Sequence, residues 1–194
     1  MILSTALSDG ALAVATFFCA FLLLRARYAW CAIWMCAIAL AALCGTLRFA
    51  GVDGLESLHL ALSRWAAMVA LPGFCWAMAR QLRTRRPVRA GEALAIAAGL
   101  NLLLLVAPRA DVVTAVGACA LLVAMVGAAA LYRSRRDVFL MIAWAIALYA
   151  IAGLWVGTEG QLGPMPRVDV YHYVLAAANL LFAFALRREA RAPA

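Results

Sequence analysis

The sequence predicts an all-α, polytopic integral membrane protein with seven transmembrane helices in one bundle. Three observations predict it. Of 194 residues, 68% are hydrophobic and only 13% charged, with a mean hydropathy of +0.96. A soluble domain is about half apolar and about a quarter charged, so this excess leaves too little polar residue to coat a core. Seven apolar runs approach the ~20 residues that cross a bilayer. Finally, the basic residues punctuate those runs rather than clustering on one segment. A soluble globular protein, a disordered chain and a fibre are thereby excluded.

The runs lie at roughly 4–24, 28–48, 57–79, 90–107, 111–132, 138–157 and 168–186. The first has no basic residue ahead of its apolar stretch and is followed by further spans, so it reads as a span and not as a cleaved signal. The third contains Pro72 beside Gly73, which predicts a bend there, because proline removes a helix hydrogen bond and crowds the preceding turn. No β-structure is expected, since lipid offers no partner to an open sheet edge. The connections are short, and no appended soluble domain is expected.

All 17 basic residues are arginine. The connections after the first, third and fifth spans and the C-terminal tail hold thirteen (Arg25 and Arg27; Arg80, Arg83, Arg85, Arg86 and Arg89; Arg133, Arg135 and Arg136; Arg187, Arg188 and Arg191). The opposite connections hold Arg48, Arg109 and Arg167, and Arg64 falls within the third span. The positive-inside rule then predicts an external N-terminus and a cytoplasmic C-terminus. Arginines placed this way serve topology, so the net charge of +8 does not point to nucleic acid. With no lysine, no Schiff-base chromophore can form. The six cysteines lie inside apolar runs without a CxxC pair, as small hydrophobes rather than a disulfide or redox framework.

Ionisable groups inside spans are costly and are functional candidates by default. The two histidines are His59, near the start of the third span, and His172, near the start of the seventh. At 1.5 Å per residue both lie about 3–6 Å below their helix starts, at one level near the outer surface. Glu56, His59 and Ser63 share one helix face, as do Asp169, His172 and Asn179. Asp53, Arg48, Thr158 and Glu159 lie in or beside the outer connections. If the third and seventh spans adjoin, His59, His172 and Asp169 form a candidate metal site, with Glu56 or Asp53 as general base. A plainer reading stands beside it. Asp169 is then a helix cap after Pro164 and Pro166, Ser57 caps the third span, and the histidines sit at headgroup level without partners. Arg64 is assigned a structural role and Asn101 an interhelical hydrogen bond. The tryptophans read mostly as interfacial and packing residues.

The seven-span layout, the external N-terminus and Asp169-Val170-Tyr171-His172 opening the last span resemble the CREST superfamily of alkaline ceramidases, progestin-and-adipoQ receptors and haemolysin-III-like proteins. The resemblance is closer to small bacterial seven-helix proteins. Those carry a glycine-plus-histidine motif where the second span exits; here that segment, Gly45-Thr46-Leu47-Arg48-Phe49-Ala50-Gly51, has no histidine. The resemblance implies a zinc-dependent hydrolase of lipid amides or esters, with three histidine ligands, two of them an HxxxH pair on the last helix, and an Asp and a Ser nearby. His172 matches one last-helix ligand; the chain has neither the HxxxH pair nor a third histidine.

Four functions compete. One is a metal-dependent lipid hydrolase working near the outer leaflet. The second is a haem b protein with His59 and His172 as axial ligands. The third is a small-solute transporter of three-plus-one-plus-three layout, and the fourth a non-catalytic scaffold or accessory subunit. The expected location is the bacterial inner membrane, with the bilayer and a lipid substrate as partners and no nucleic acid.

Overall fold

A computed structural model describes residues 2–107 and 109–191. The described chain is almost wholly helical. Its elements are α1 (Leu3–Arg25), α2 (Ala29–Phe49), α3 (Glu56–Trp65), α4 (Leu71–Thr84), α5 (Ala90–Val106), α6 (Ala110–Ala129), α7 (Arg136–Ala150) and α8 (Arg167–Ala190). A π-helical segment, Ala66–Ala70, joins α3 to α4 in one continuous rod, and a second, Ile151–Val156, extends α7. Six of these helices are long and apolar enough to cross a membrane: α1, α2, the α3–α4 rod, α6, extended α7 and α8. The 17-residue α5 is a shorter apolar helix.

Where the sequence predicts a bend at Pro72, the structure has a widened helical turn. The π-helical turn lies directly before the proline. Pro72 cannot donate to the carbonyl of Met68, and widening the turn relieves the clash of its ring with that carbonyl. The expectation of no β-structure is corrected. Gln161–Leu162 pairs antiparallel with Met165–Pro166 in a minimal hairpin, turning at Gly163 with φ +61°. It lies in the connection between α7 and α8, outside the helices apolar enough to span a membrane.

Helix contacts define a ring. α1 packs between α8 and α2; α2 packs on the α3–α4 rod; α4 packs on α6, α6 on α7, and α7 on α8. α5 stands outside this ring, with its substantial contacts to α4 and the π segment. Its Asn101 accepts a hydrogen bond from Trp65 Nε1 at 3.0 Å and donates to its own helix at Ala97, so the interhelical role expected of Asn101 is met. For helices apolar enough to lie in lipid, burying leucine against one another would give little driving force there, so close packing matters most for the ring. At the α4–α6 contact a Cβ on Gly127 would stand 2.5 Å from Ala79 Cα, so only glycine permits that approach. Phe74 and Phe182 meet edge-to-face with centroids 5.2 Å apart, filling the centre between α4 and α8.

The two ends of the bundle differ. At one end the arginine-rich segments converge: Gln81 donates to the Arg27 carbonyl, and Arg135 donates to the Arg188 carbonyl. Glu189 is buried there between Arg85 and Arg135. At the other end the Ile2 amide donates to the Phe49 carbonyl at 3.0 Å, and the titratable groups of α1, α2, α3 and α8 meet.

A candidate polar centre at the arginine-poor end

The centre is built on α1 and α8. Ser8 and Asp9 lie two turns into α1, and Asp169 and His172 lie in the first turns of α8. All four are buried; Asp9 and Asp169 are each only 1% exposed. A carboxylate in such surroundings is tolerated only with partners, and the partners are specific. Ser8 Oγ stands 3.1 Å from His172 Nδ1 and 3.0 Å from Asp169 Oδ1. It also reaches the Thr5 carbonyl at 3.1 Å. Its single proton serves one acceptor at a time. On the opposite side of the imidazole, His172 Nε2 faces Asp9 Oδ1 at 3.4 Å. A carboxylate, a hydroxyl, an imidazole and a second carboxylate thus follow one another across the α1–α8 interface.

A second group approaches from α2 and α3. Arg48, in the last turn of α2, places Nη1 3.1 Å from His59 Nδ1 and donates from Nη2 to Glu56 Oε1 at 2.7 Å. The His59 ring also packs edge-to-face on Phe49. Gly45 joins the two groups. A methyl there would collide with the Asp9 carboxylate and stand 2.9 Å from His59 Nε2. The bare Cα therefore lets Asp9 sit against α2, between the two histidines.

The arrangement departs from the sequence expectations in several ways. The third and seventh spans touch in the bundle centre, at Phe74 and Phe182, but not at the level of the histidines, where α2 and α1 stand between α3 and α8. Asp169 does not cap α8. Pro166 holds that position without a side-chain bond, and Asp169 turns from the first turn toward Ser8. Ser57 does not cap α3, which starts at Glu56 behind Leu55 with no side-chain cap. Glu56 reaches the centre only through Arg48, and it is largely exposed. Asp53, Thr158 and Glu159 are exposed and form no hydrogen bond or ion pair with the centre. Arg64 is exposed on α3.

Asn179 shares a helix with His172 but serves a deeper trio. Tyr149 on α7 donates to Asn179 Oδ1 at 2.6 Å, and Asn179 Nδ2 donates to Thr16 Oγ1 on α1 at 3.3 Å.

Asp9 and Ser8 were missed by the sequence reading. The signal was present, a carboxylate inside an apolar run, but nothing in the sequence says which helix lies beside α1.

The zinc set His59, His172 and Asp169 does not fit as the side chains stand. Asp9 separates the histidines, Arg48 places a fixed cation on His59, and both nitrogens of His172 are engaged by Ser8 and Asp9. Among the described residues no three His, Cys, Asp or Glu side chains are grouped to hold a metal ion. One observation favours a cation: Asp9 Oδ2 and Asp169 Oδ2 are buried without a hydrogen-bond partner. The haem alternative needs a flat slot between the imidazoles, and Asp9 packed on Gly45 occupies that space.

The profile of DUF6962, a family of unknown function, matches residues 4–191. The chain belongs to that family. No curated protein and no solved structure matches it. The DUF6962 match runs from α1 to the end of α8, so the whole ring and every residue of the polar centre lie inside the family region.

Proposed function

We propose that this DUF6962 member is a seven-span membrane protein, with α5 as the seventh span, an external N-terminus and a cytoplasmic C-terminus. The thirteen-to-three division of arginines between the two sets of connections supports the orientation. The polar centre then lies under the outer surface of the membrane, and in a bacterium that membrane is the inner one.

Within that frame the centre is an acid–base site for hydrolysis of a lipid ester or amide. One observation carries the reading: His172 holds a hydroxyl on one ring nitrogen and a carboxylate on the other. A nucleophile, a base and a group that orients the base are the parts of activated-hydroxyl catalysis on any fold. Ser8 Oγ attacks the carbonyl carbon while its proton passes to His172 Nδ1. Asp9 stabilises the imidazolium. The same proton goes to the departing alcohol or amine, and water then releases the acyl group from Ser8 by the reverse sequence. An open apolar groove of about 620 Å³ on another face of α1, along Ala6, Leu7, Gly10, Val14 and Phe18 with Thr46 of α2, supports an apolar ligand near this end of the bundle, although Ser8 and Asp9 do not line it. The resemblance to ceramidase-type proteins supports the same substrate class. No step is assigned to zinc, because its ligands are not grouped.

The test is labelling of detergent-purified protein with a fluorophosphonate, together with release of fatty acid from ester and amide lipids. Wild type should react, Ser8→Ala should not, and His172→Ala and Asp9→Asn should react at least about a hundredfold more slowly. Wild-type labelling and turnover no greater than in Ser8→Ala would remove the catalytic reading.

One observation favours a second reading. Ser8 is fully shielded, as befits a polar latch holding α1 to α8 in a scaffold without chemistry. Equal inertness of all four proteins, with lowered stability in the variants, is its signature.

A further inference from the structure

The arginine-rich end carries thirteen arginines and only three carboxylates, Glu92, Asp137 and Glu189. Glu92 pairs with Arg80, Asp137 with Arg135 and Arg188, and Glu189 with Arg85 and Arg135. The other nine arginines at this end have no carboxylate partner among the described residues, and four of them, Arg25, Arg27, Arg187 and Arg191, come together in space. They come from opposite ends of the sequence and line one cleft of about 370 Å³ between the C-terminal ends of α1 and α8, walled by Phe21 and Leu22. Such a volume falls within the ~300–1,000 Å³ of small-ligand sites.

Two plain explanations for the charge fall short. Each helix C-terminus carries about half a negative charge, so the ends of α1 and α8 together offset about one arginine of four. Topology requires arginines in the connections, not their convergence on a shared concavity.

We propose that this cleft binds the phosphate of an anionic phospholipid. The guanidinium groups supply bidentate donors to phosphate oxygens. The apolar wall decides for a lipid over a soluble phosphate. Phe21 lies under the Arg25 guanidinium, 5.8 Å from ring centroid to Cζ, and Phe17, Phe21 and Leu24 are exposed along α1, where an acyl chain descending from the headgroup would run. Basic pockets between helices at a membrane surface hold anionic headgroups by the same combination. The inference rests on the reading that this end of the bundle lies at a membrane surface, and not on the chemistry of the polar centre.

The experiment uses the full chain in neutral detergent. Thermal unfolding is followed while phosphatidylglycerol, phosphatidylcholine or glycerol 3-phosphate is added. Phosphatidylglycerol should stabilise the wild type and the other two should not. Arg25→Gln with Arg187→Gln should weaken the apparent affinity for phosphatidylglycerol roughly tenfold or more. Arg83→Gln with Arg86→Gln removes the same charge from exposed positions outside the cleft and should change it less than twofold. Equal loss in both pairs, or no preference for phosphatidylglycerol in the wild type, overturns the site. Equal stabilisation by glycerol 3-phosphate overturns the lipid as its occupant. If the first double variant does not fold, Arg187→Gln read against Arg86→Gln makes the same comparison. Reporter fusions placing this end away from a membrane surface would instead overturn the underlying reading.

Discussion

His172 Nε2 and Asp9 Oδ1 face each other at 3.4 Å across the interface of the first and last helices. The contact closes the ring at its arginine-poor end and ties α8 to a carboxylate that α2 also touches through Gly45. In lipid, single interhelical polar contacts average about 0.6 kcal/mol and reach about 1.7. Asp9→Ala should therefore lower unfolding stability in detergent by about 1–2 kcal/mol, measured by thermal or denaturant unfolding. Asp9→Asn should cost less, because the amide keeps an oxygen toward His172. Equal stability of wild type and Asp9→Ala would mean that the pair does not hold the interface.

Gly45 offers a sharper test, because it probes shape alone. An added methyl meets the Asp9 carboxylate and His59, so Gly45→Ala should destabilise by about 1–3 kcal/mol, the cost of overpacking. Gly117→Ala, in α6, meets nothing within 4 Å and should be neutral or stabilise by up to about 1 kcal/mol through helix propensity. A comparable loss in both variants would dissociate the effect from Asp9.

Metal analysis addresses the ligand arrangement. With Asp9 between the histidines and Arg48 on His59, purified protein should carry well below one zinc per chain, and chelator should leave the unfolding midpoint unchanged. One zinc per chain, lost in His172→Ala, would show that the side chains regroup around a metal.

Orientation is checked by reporter fusions. A reporter after Ala194 should read cytoplasmic, and one within 159–167 external. The opposite result would place the polar centre on the cytoplasmic side and the four-arginine cleft outside.

The helices were legible because apolar runs of this length leave no other structure; 168–186 falls inside α8, and 138–157 overruns extended α7 by one residue. The 90–107 run was legible as a helix, but its 17 residues stop short of the other six. Pro72 predicted a bend, and only the three-dimensional chain could show that a π turn stands directly before it. At the site, His59, His172 and Asp169 stood out as rare ionisable groups in apolar sequence. Asp9 carried the same signal. Its meaning depended on α1 lying between α2 and α8, a neighbour relation that periodicity does not encode. The small hairpin at 161–166 was hidden for a related reason: two-residue strands have no period to read, and only Gly163 marks the turn.

Ring closure between the first and last helices also sets a timetable. Ser8 and its α8 partners are 161 and 164 residues apart. At ~5–20 residues per second of synthesis, α1 waits about 10–30 s for them. Throughout that interval the nascent chain carries a carboxylate in its first span with nothing from α8 to meet it. A chain truncated before α8 keeps that acid permanently without its α8 partners.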